Sequence, residues 1–181
     1  MNLLLFPGAG SSSTHSSLLA IEHAVAPMRC TRADFPYRKA GRKAPDRTPV
    51  LLQTVRDEAA ALLDGGLVLG GRSMGGRMCS LAVGDADDPL PARGLVLISY
   101  PLHPPGKPDS LRVEHLPRLT VPCLFVHGTR DPFGSPQELQ QWTATIPGRL
   151  THCWIDGRGH DLKGADAEVA ETVAGWISAL G

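Results

Sequence analysis

Residues 70–76 read Gly-Gly-Arg-Ser-Met-Gly-Gly. Glycines weaken any regular element they sit inside, so four of them around one serine call for a reason. Gly71-Arg72-Ser73-Met74-Gly75 has the G-x-S-x-G form, in which a serine stands on a sharp, strained turn between a strand and a helix. Small neighbours let the turn close, and the strain aims the Ser73 hydroxyl outward. The chemistry on offer is acyl transfer, with the hydroxyl attacking a carbonyl carbon. The Met74 N–H, at the start of the following helix, would face the oxyanion that develops. Read more plainly, the segment is a glycine-rich turn whose serine caps a helix; the apolar run before it and the helical pattern after it favour the first reading.

A serine hydroxyl is a poor nucleophile without a base, and the base needs a group to orient it. After a serine in this setting the expected chain order is acid, then histidine. "VPCLFVHGTRDPFG" supplies the acid: an apolar run ends at His127, a turn follows, and then comes Asp131. "HCWIDGRGHDL" supplies the base: an apolar run ends near Ile155, a glycine-rich loop follows, and His160 stands before the last helical pattern. Each alone could be an ordinary loop residue. The three occur in the required order, each after its own strand, so Ser73, Asp131 and His160 are the candidate triad. The competitors fit less well. His127 lies inside a strand and reads as structural. Asp161 adjoins His160 and would need an awkward loop to reach its ring, and Asp156 follows the same strand as the base. His15, His23, His103, His115 and His152 have no acid that the sequence can pair with them.

A second oxyanion donor belongs in the loop after the strand neighbouring the serine's strand. "LLLFPGAGSSS" fits, with the Ala9 N–H as first choice and Gly10 as second. Its glycines let backbone approach a substrate closely. A phosphate-cradling loop is the rival, but Ser13 stands where G-x-G-x-x-G would finish and no P-loop lysine follows.

The elements that must position these residues are legible as alternation. Short apolar runs bounded by Gly or Pro occupy residues 2–6, 66–70, 94–99, 121–127 and 150–155, with 28–35 a sixth candidate. Helical patterns occupy 16–26, 48–64, 73–84, 135–146 and 166–180. The second begins with Thr48 as a cap and Pro49 in its first turn; the fourth opens with Ser, Pro and an acid. The strand before Ser73 is expected to end near Leu69. Such alternation predicts an α/β three-layer sandwich, a mostly parallel sheet of about six strands with helices on both faces. The Pro-rich stretch at 100–108 reads as a loop, because the pattern continues on both sides of it. The 181 residues suit a single domain spanning 1–181.

Composition bounds the partners. Lys plus Arg (18) equals Asp plus Glu (18), a balance that argues against a nucleic-acid or membrane-surface protein. The N-terminal apolar run is too short to span a membrane and lacks a basic leader or cleavage site, so a cytoplasmic location is expected. Cys30, Cys79, Cys123 and Cys153 show no metal-ligand or C-x-x-C spacing and read as reduced core thiols.

Taken together, "FPGAGSSS", "GGRSMGGR", "HGTRDPFG" and "GRGHDL" resemble the α/β-hydrolase superfamily, and within it the small, lidless, dienelactone-hydrolase-like branch. The resemblance runs from the first strand to the last helix. It implies a serine nucleophile, an acyl-enzyme intermediate and no metal or organic cofactor. The chain departs from the pattern in two places. The family's antiparallel strands before the oxyanion-loop strand are absent, and Pro7 replaces a histidine often found before the loop glycine. Residues 99–121, where relatives insert a cap, offer only a Pro-rich loop and a short helix around "RVEHLPRL".

An uncapped site favours small or soluble carboxylic esters over long lipids, which need extended apolar walls. Expected pocket residues are Arg72, Pro101, Leu102 and Phe133, with Met74. Arg38, Lys39, Arg42, Lys43 and Arg47 form either a solvated loop or a patch that attracts acidic esters. The alternative functions are a non-catalytic interaction module on the same fold and a thioesterase or acyltransferase using the same nucleophile. The sequence names no oligomeric state.

Overall fold

The computed structural model describes residues 1–180. The strands are β1 (Asn2–Phe6), β2 (Arg29–Arg32), β3 (Leu67–Arg72), β4 (Gly94–Ile98), β5 (Cys123–Gly128) and β6 (Leu150–Ile155). The helices are α1 (Ser16–Ala24), α2 (Pro36–Lys39), α3 (Thr48–Ala60), α4 (Met74–Val83), α5 (Pro136–Thr143) and α6 (Asp166–Ser178). All six strands pair in parallel in the order β2-β1-β3-β4-β5-β6. The expected α/β class and strand number are therefore present, and among the described residues no cap interrupts the sheet edge. Residues 116–118 make only one short 3₁₀ turn where a cap would sit.

Side-chain alternation along the central strands feeds two cores. Leu4, Phe6, Leu67, Leu69, Leu95, Leu97 and Phe125 point to the face covered by α3, α4 and α5. Leu3, Leu5, Val68, Val96, Ile98, Leu124 and Val126 point to the face covered by α1 and α6. A strand buried on both faces must be apolar at every position, which is why these runs are unbroken. The two edge strands obey a looser rule. β2 and most of β6 are only half-buried, so Cys153, expected in a buried strand, is half-exposed like Cys30. Cys79 and Cys123 are buried, and burial pushes the Cys123 thiol up to about 12. Among the described residues all four thiols are free, and no helix is long and apolar enough to cross a membrane.

Helix ends differ from expectation for identifiable reasons. α3 begins one position earlier than a Thr cap requires: Arg47 is the cap residue, Thr48 is already helical, and Pro49 sits in the first turn. α3 stops at Ala60, ahead of Gly65 and Gly66, which take positive φ. α5 has the full capping box, with Ser135 and Glu138 exchanging side-chain to backbone bonds. α2, a single turn begun by Pro36, lies in a stretch that has no periodic signal.

The larger correction concerns β3. It runs through Gly70 and Gly71 to Arg72, three residues beyond the expected end. The two glycines are strand residues chosen for close approach. A Cβ on Gly71 would stand 2.2 Å from the Phe6 carbonyl oxygen, and one on Gly70 2.4 Å from that of Val96.

Candidate active site

The chain leaves β1 toward β2 in one direction and returns through β3 to β6 in the other. Crevices in parallel sheets form at such a switch point, beyond the carboxyl ends of the strands. Here that point lies after Phe6 and after Arg72. Ser73 occupies it with φ 47° and ψ −117°, a strained conformation for a residue with a side chain. Its N–H donates to the Ile98 carbonyl at 2.8 Å, tying the turn to β4. Directly behind it, α4 presses on the sheet: a Cβ on Gly75 would lie 2.5 Å from the Phe6 oxygen and 2.6 Å from that of Pro7.

The three residues expected to form a triad are brought together from distant loops. His160 Nε2 lies 2.8 Å from Ser73 Oγ, and His160 Nδ1 lies 2.8 Å from Asp131 Oδ2. The Asp131 side chain is fully buried, whereas that of His160 is 23% exposed, so one end of the relay is dry and the other is reachable. The other carboxylate oxygen, Oδ1, accepts from the Phe133 N–H at 2.8 Å. The Phe133 ring stacks on the His160 imidazole at 4.0 Å between centroids. Phe133 therefore orients the His160 ring as well as lining the cavity.

The loops that carry Asp131 and His160 are sewn to each other. β5 pairs with β6, and the pairing continues past the strand ends: the Arg130 N–H donates to the Arg158 carbonyl at 2.9 Å. Thr129 Oγ1 donates to Asp156 at 3.1 Å and accepts from the Gly157 N–H at 2.8 Å. A Cβ on Gly128 would collide with the Arg158 oxygen at 2.3 Å, so glycine is needed for this approach.

Arg72 does something the sequence reading did not assign to it. It is 5% exposed, and its guanidinium donates to the Asp161 carbonyl at 2.9 Å, the His160 carbonyl at 3.3 Å and the Ser17 hydroxyl at 3.2 Å. It touches the cavity wall, but its donors hold the histidine loop. Burial lowers its pKa, and Asp166, Asp161 and Asp131 counteract that.

The loop after β1 carries the other expected donors. Met74 is the first residue of α4, where no carbonyl of the helix can reach its N–H. Gly8 lies against Ser73, with its notional Cβ 3.5 Å from the Ser73 Cβ, and Ala9 and Gly10 follow at the cavity rim. Three contacts that the sequence did not signal brace this loop. Tyr37 donates its hydroxyl to the Ala9 carbonyl at 2.8 Å, Asp34 accepts from the Ser13 N–H and hydroxyl at 2.7 Å each, and Arg32 bonds the Ser13 carbonyl.

A cavity of about 610 Å³ opens beside Ser73. Pro101, Phe133, Met74 and Arg72 line it as expected. Leu102 does not: it is fully buried, packed against Gly134 and held by backbone bonds to Tyr100 and Arg112. The loop turns its neighbour Pro101 to the cavity instead. None of Arg38, Lys39, Arg42, Lys43 and Arg47 lines the cavity; their segment contributes Pro45, Asp46 and Thr48. Lys39 pairs with Glu58 at 3.0 Å and Arg42 with Asp46 at 2.7 Å. The cavity's remaining cations are Arg77 and Arg112, neither of which sequence reasoning singled out. Arg77 was legible in principle, since it stands four residues after Ser73 on a helix and so shares its face.

Of the other six histidines, His23 is exposed in the last turn of α1, and five lie against identifiable partners. His127 Nε2 donates to the Gly134 carbonyl at 2.8 Å, and burial lowers its pKa, consistent with a neutral structural role behind Asp131. His115 bonds Ser80 of α4 at 2.8 Å, and His152 bonds Thr143 at 3.0 Å. His103 bonds the Pro104 carbonyl at 2.9 Å. His15 caps α1 through the Ser17 N–H and borders the cavity.

The model of the alpha/beta hydrolase domain family matches residues 1–179. The chain belongs to this alpha/beta hydrolase family. Solved structures share the hydrolase fold at low identity. Est1E from Butyrivibrio proteoclasticus is 16% identical, with a TM-score of 0.78 over 99% of this chain and 87% of that one. The Paleococcus ferrophilus monoacylglycerol lipase is 14% identical, also with a TM-score of 0.78, over 99% and 95%. The esterase domain of a Rhodothermus marinus protein is 15% identical, with a TM-score of 0.73, over 99% and 87%. At these identities the likeness speaks for the hydrolase fold.

Proposed function

We propose that the protein is a serine hydrolase that cleaves small or soluble carboxylic esters through an acyl-enzyme on Ser73. The observation that carries this reading is the unbroken line Ser73 Oγ–His160 Nε2, His160 Nδ1–Asp131 Oδ2, both links at 2.8 Å. In the first step His160 takes the Ser73 proton as the hydroxyl oxygen bonds to the ester carbonyl carbon. Asp131 holds the imidazole tautomer and stabilises the cation that forms. The N–H groups of Met74 and Ala9, with Gly10 as the second candidate, receive the oxyanion. Loss of one such donor commonly costs roughly 100–1,000-fold in rate. Collapse of the intermediate breaks the bond to the alcohol, which leaves with the proton from His160. Water, deprotonated by His160, then attacks the acyl carbon and frees the acid and Ser73.

An open cavity without a lid supports short or soluble acyl groups. The test is labelling by a fluorophosphonate probe together with a panel of p-nitrophenyl esters from acetate to palmitate. The expected result is labelling of the wild type but not of Ser73→Ala, with turnover falling as the chain lengthens. Replacement of Ser73 should lower kcat on the order of 10⁶-fold. An unlabelled wild type, inert toward every ester, would favour a non-catalytic interaction module.

A further inference from the structure

We propose that Arg77 and Arg112 form an anion subsite on the cavity wall, so that the preferred ester bears a second, carboxylate group. The proposal rests on the ester-hydrolase reading of Ser73 and names its substrate class. Arg77 lies one turn beyond the nucleophile on α4, its N–H bonded to the Ser73 carbonyl at 3.0 Å. Its side chain lines the cavity, and its Nε is buried with no hydrogen-bond partner. Neither arginine takes part in an ion pair among the described residues. Arg77 is half-buried, and a guanidinium whose buried Nε has no partner and whose charge has no counter-ion invites an anion.

Arg112 comes from a different segment to the same cavity. Its backbone is fixed: its N–H donates to the Leu102 carbonyl at 2.9 Å, and its carbonyl accepts from the Tyr100 hydroxyl at 2.7 Å. One terminal nitrogen reaches the Pro101 carbonyl at 3.3 Å, which leaves the rest of the fork free. Burial lowers the Arg112 pKa and the charge of Arg77 lowers it further, so the two cations feel each other. Two like charges held near one another favour an anion between them, and the guanidinium fork matches a carboxylate in two-point contact.

The other charges of the cavity are already engaged. Arg72 is bonded to the carbonyls of His160 and Asp161. Asp161 accepts from the Lys163 N–H at 3.2 Å, and Asp46 accepts from Arg42 at 2.7 Å, leaving only its Oδ2 unmatched.

The experiment compares kcat/KM for p-nitrophenyl hydrogen glutarate and p-nitrophenyl valerate, which share a five-carbon acyl chain and differ in the terminal charge. The wild type should favour the glutarate roughly 10–100-fold at low salt, the scale of a charge-assisted contact, and added salt should shrink the ratio. Arg77→Gln and Arg112→Gln should each bring the ratio toward one, and Arg77→Lys should keep part of it. A wild-type ratio near one, or variants that slow both esters in step, overturns the subsite. If the wild type turns over neither ester, the hydrolase reading has failed on its own, and calorimetry with free glutarate judges the subsite. Binding that survives in Ser73→Ala and vanishes in Arg77→Gln supports it; no binding to the wild type overturns it. Competition by inorganic phosphate as strong as that by glutarate would show that the pair reads charge alone and overturn the assignment to a carboxylate.

Discussion

The proposed nucleophile, Ser73, and its proposed base, His160, are held in place by different means. Ser73 is positioned by backbone against backbone: Gly70, Gly71 and Gly75 let β3 and α4 close on Phe6, Pro7 and Val96 with no room for a side chain. His160 is positioned by side chains: Arg72 grips the carbonyls of its loop, Phe133 stacks on its ring, and Asp131 accepts a hydrogen bond from its Nδ1–H. The first device is rigid because packed backbone has no alternative arrangement. The second rests on single side-chain contacts, which suits the proposed role of His160 in passing a proton between serine and leaving alcohol.

The difference predicts unequal responses to damage. Gly71→Ala should destabilise the whole fold by about 3 kcal/mol or more, because backbone must move to admit the methyl group. Thermal or urea unfolding would reveal this, and a variant as stable as wild type would refute the packing account. A second strain on the Ser73 side is acid. His115 bonds Ser80 on α4, and its pKa is lowered from 6.5 to about 4, chiefly by burial. Above pH 6.5 the ring is neutral whether the chain is folded or not. As pH falls from there toward 4, the unfolded chain takes up a proton that the folded one refuses, so the stability contribution is progressively lost, by up to about 3 kcal/mol. Urea midpoints at neutral and acid pH should therefore diverge less in His115→Gln than in wild type.

Damage on the base side should spare the fold and strike the rate. Arg72→Met should leave the unfolding midpoint nearly unchanged while lowering kcat roughly 10–100-fold, the scale of a small misplacement of a catalytic group. Equal losses in stability and rate would erase the distinction between the two regions. The smallest effect belongs to the basic segment. Charge reversal at Arg42 and Lys43 should change KM for charged and neutral esters by less than about threefold, since exposed charges contribute little. A selective rise for anionic esters would restore the role once open to that loop.

Much of the site was legible because its chemistry is local. The G-x-S-x-G turn is five contiguous residues, and Asp131 and His160 each follow an apolar run by a short distance. What escaped was whatever depends on which way a side chain turns. Leu102 and Pro101 are adjacent in a loop, and only the path of the chain decides that one is core and the other wall. Arg72 reads as a pocket cation until β3 is seen to extend through it, which carries its side chain to the histidine loop. Tyr37 and Arg112 carry no signal at all, because their partners lie 28 and 12 residues away at Ala9 and Tyr100.

The five cations crowded into residues 38–47 make the point most directly. They are dense in sequence and absent from the cavity, whereas Arg72, Arg77 and Arg112 are scattered along the chain and meet there. By itself the sequence determined the alternation of strand and helix, the strained serine and the order of its partners, since these follow from periodicity, glycine and chain direction. Only the tertiary structure decided which charges converge and which residues brace the loops, because convergence is set by strand order and register, and spacing along a chain carries no record of either.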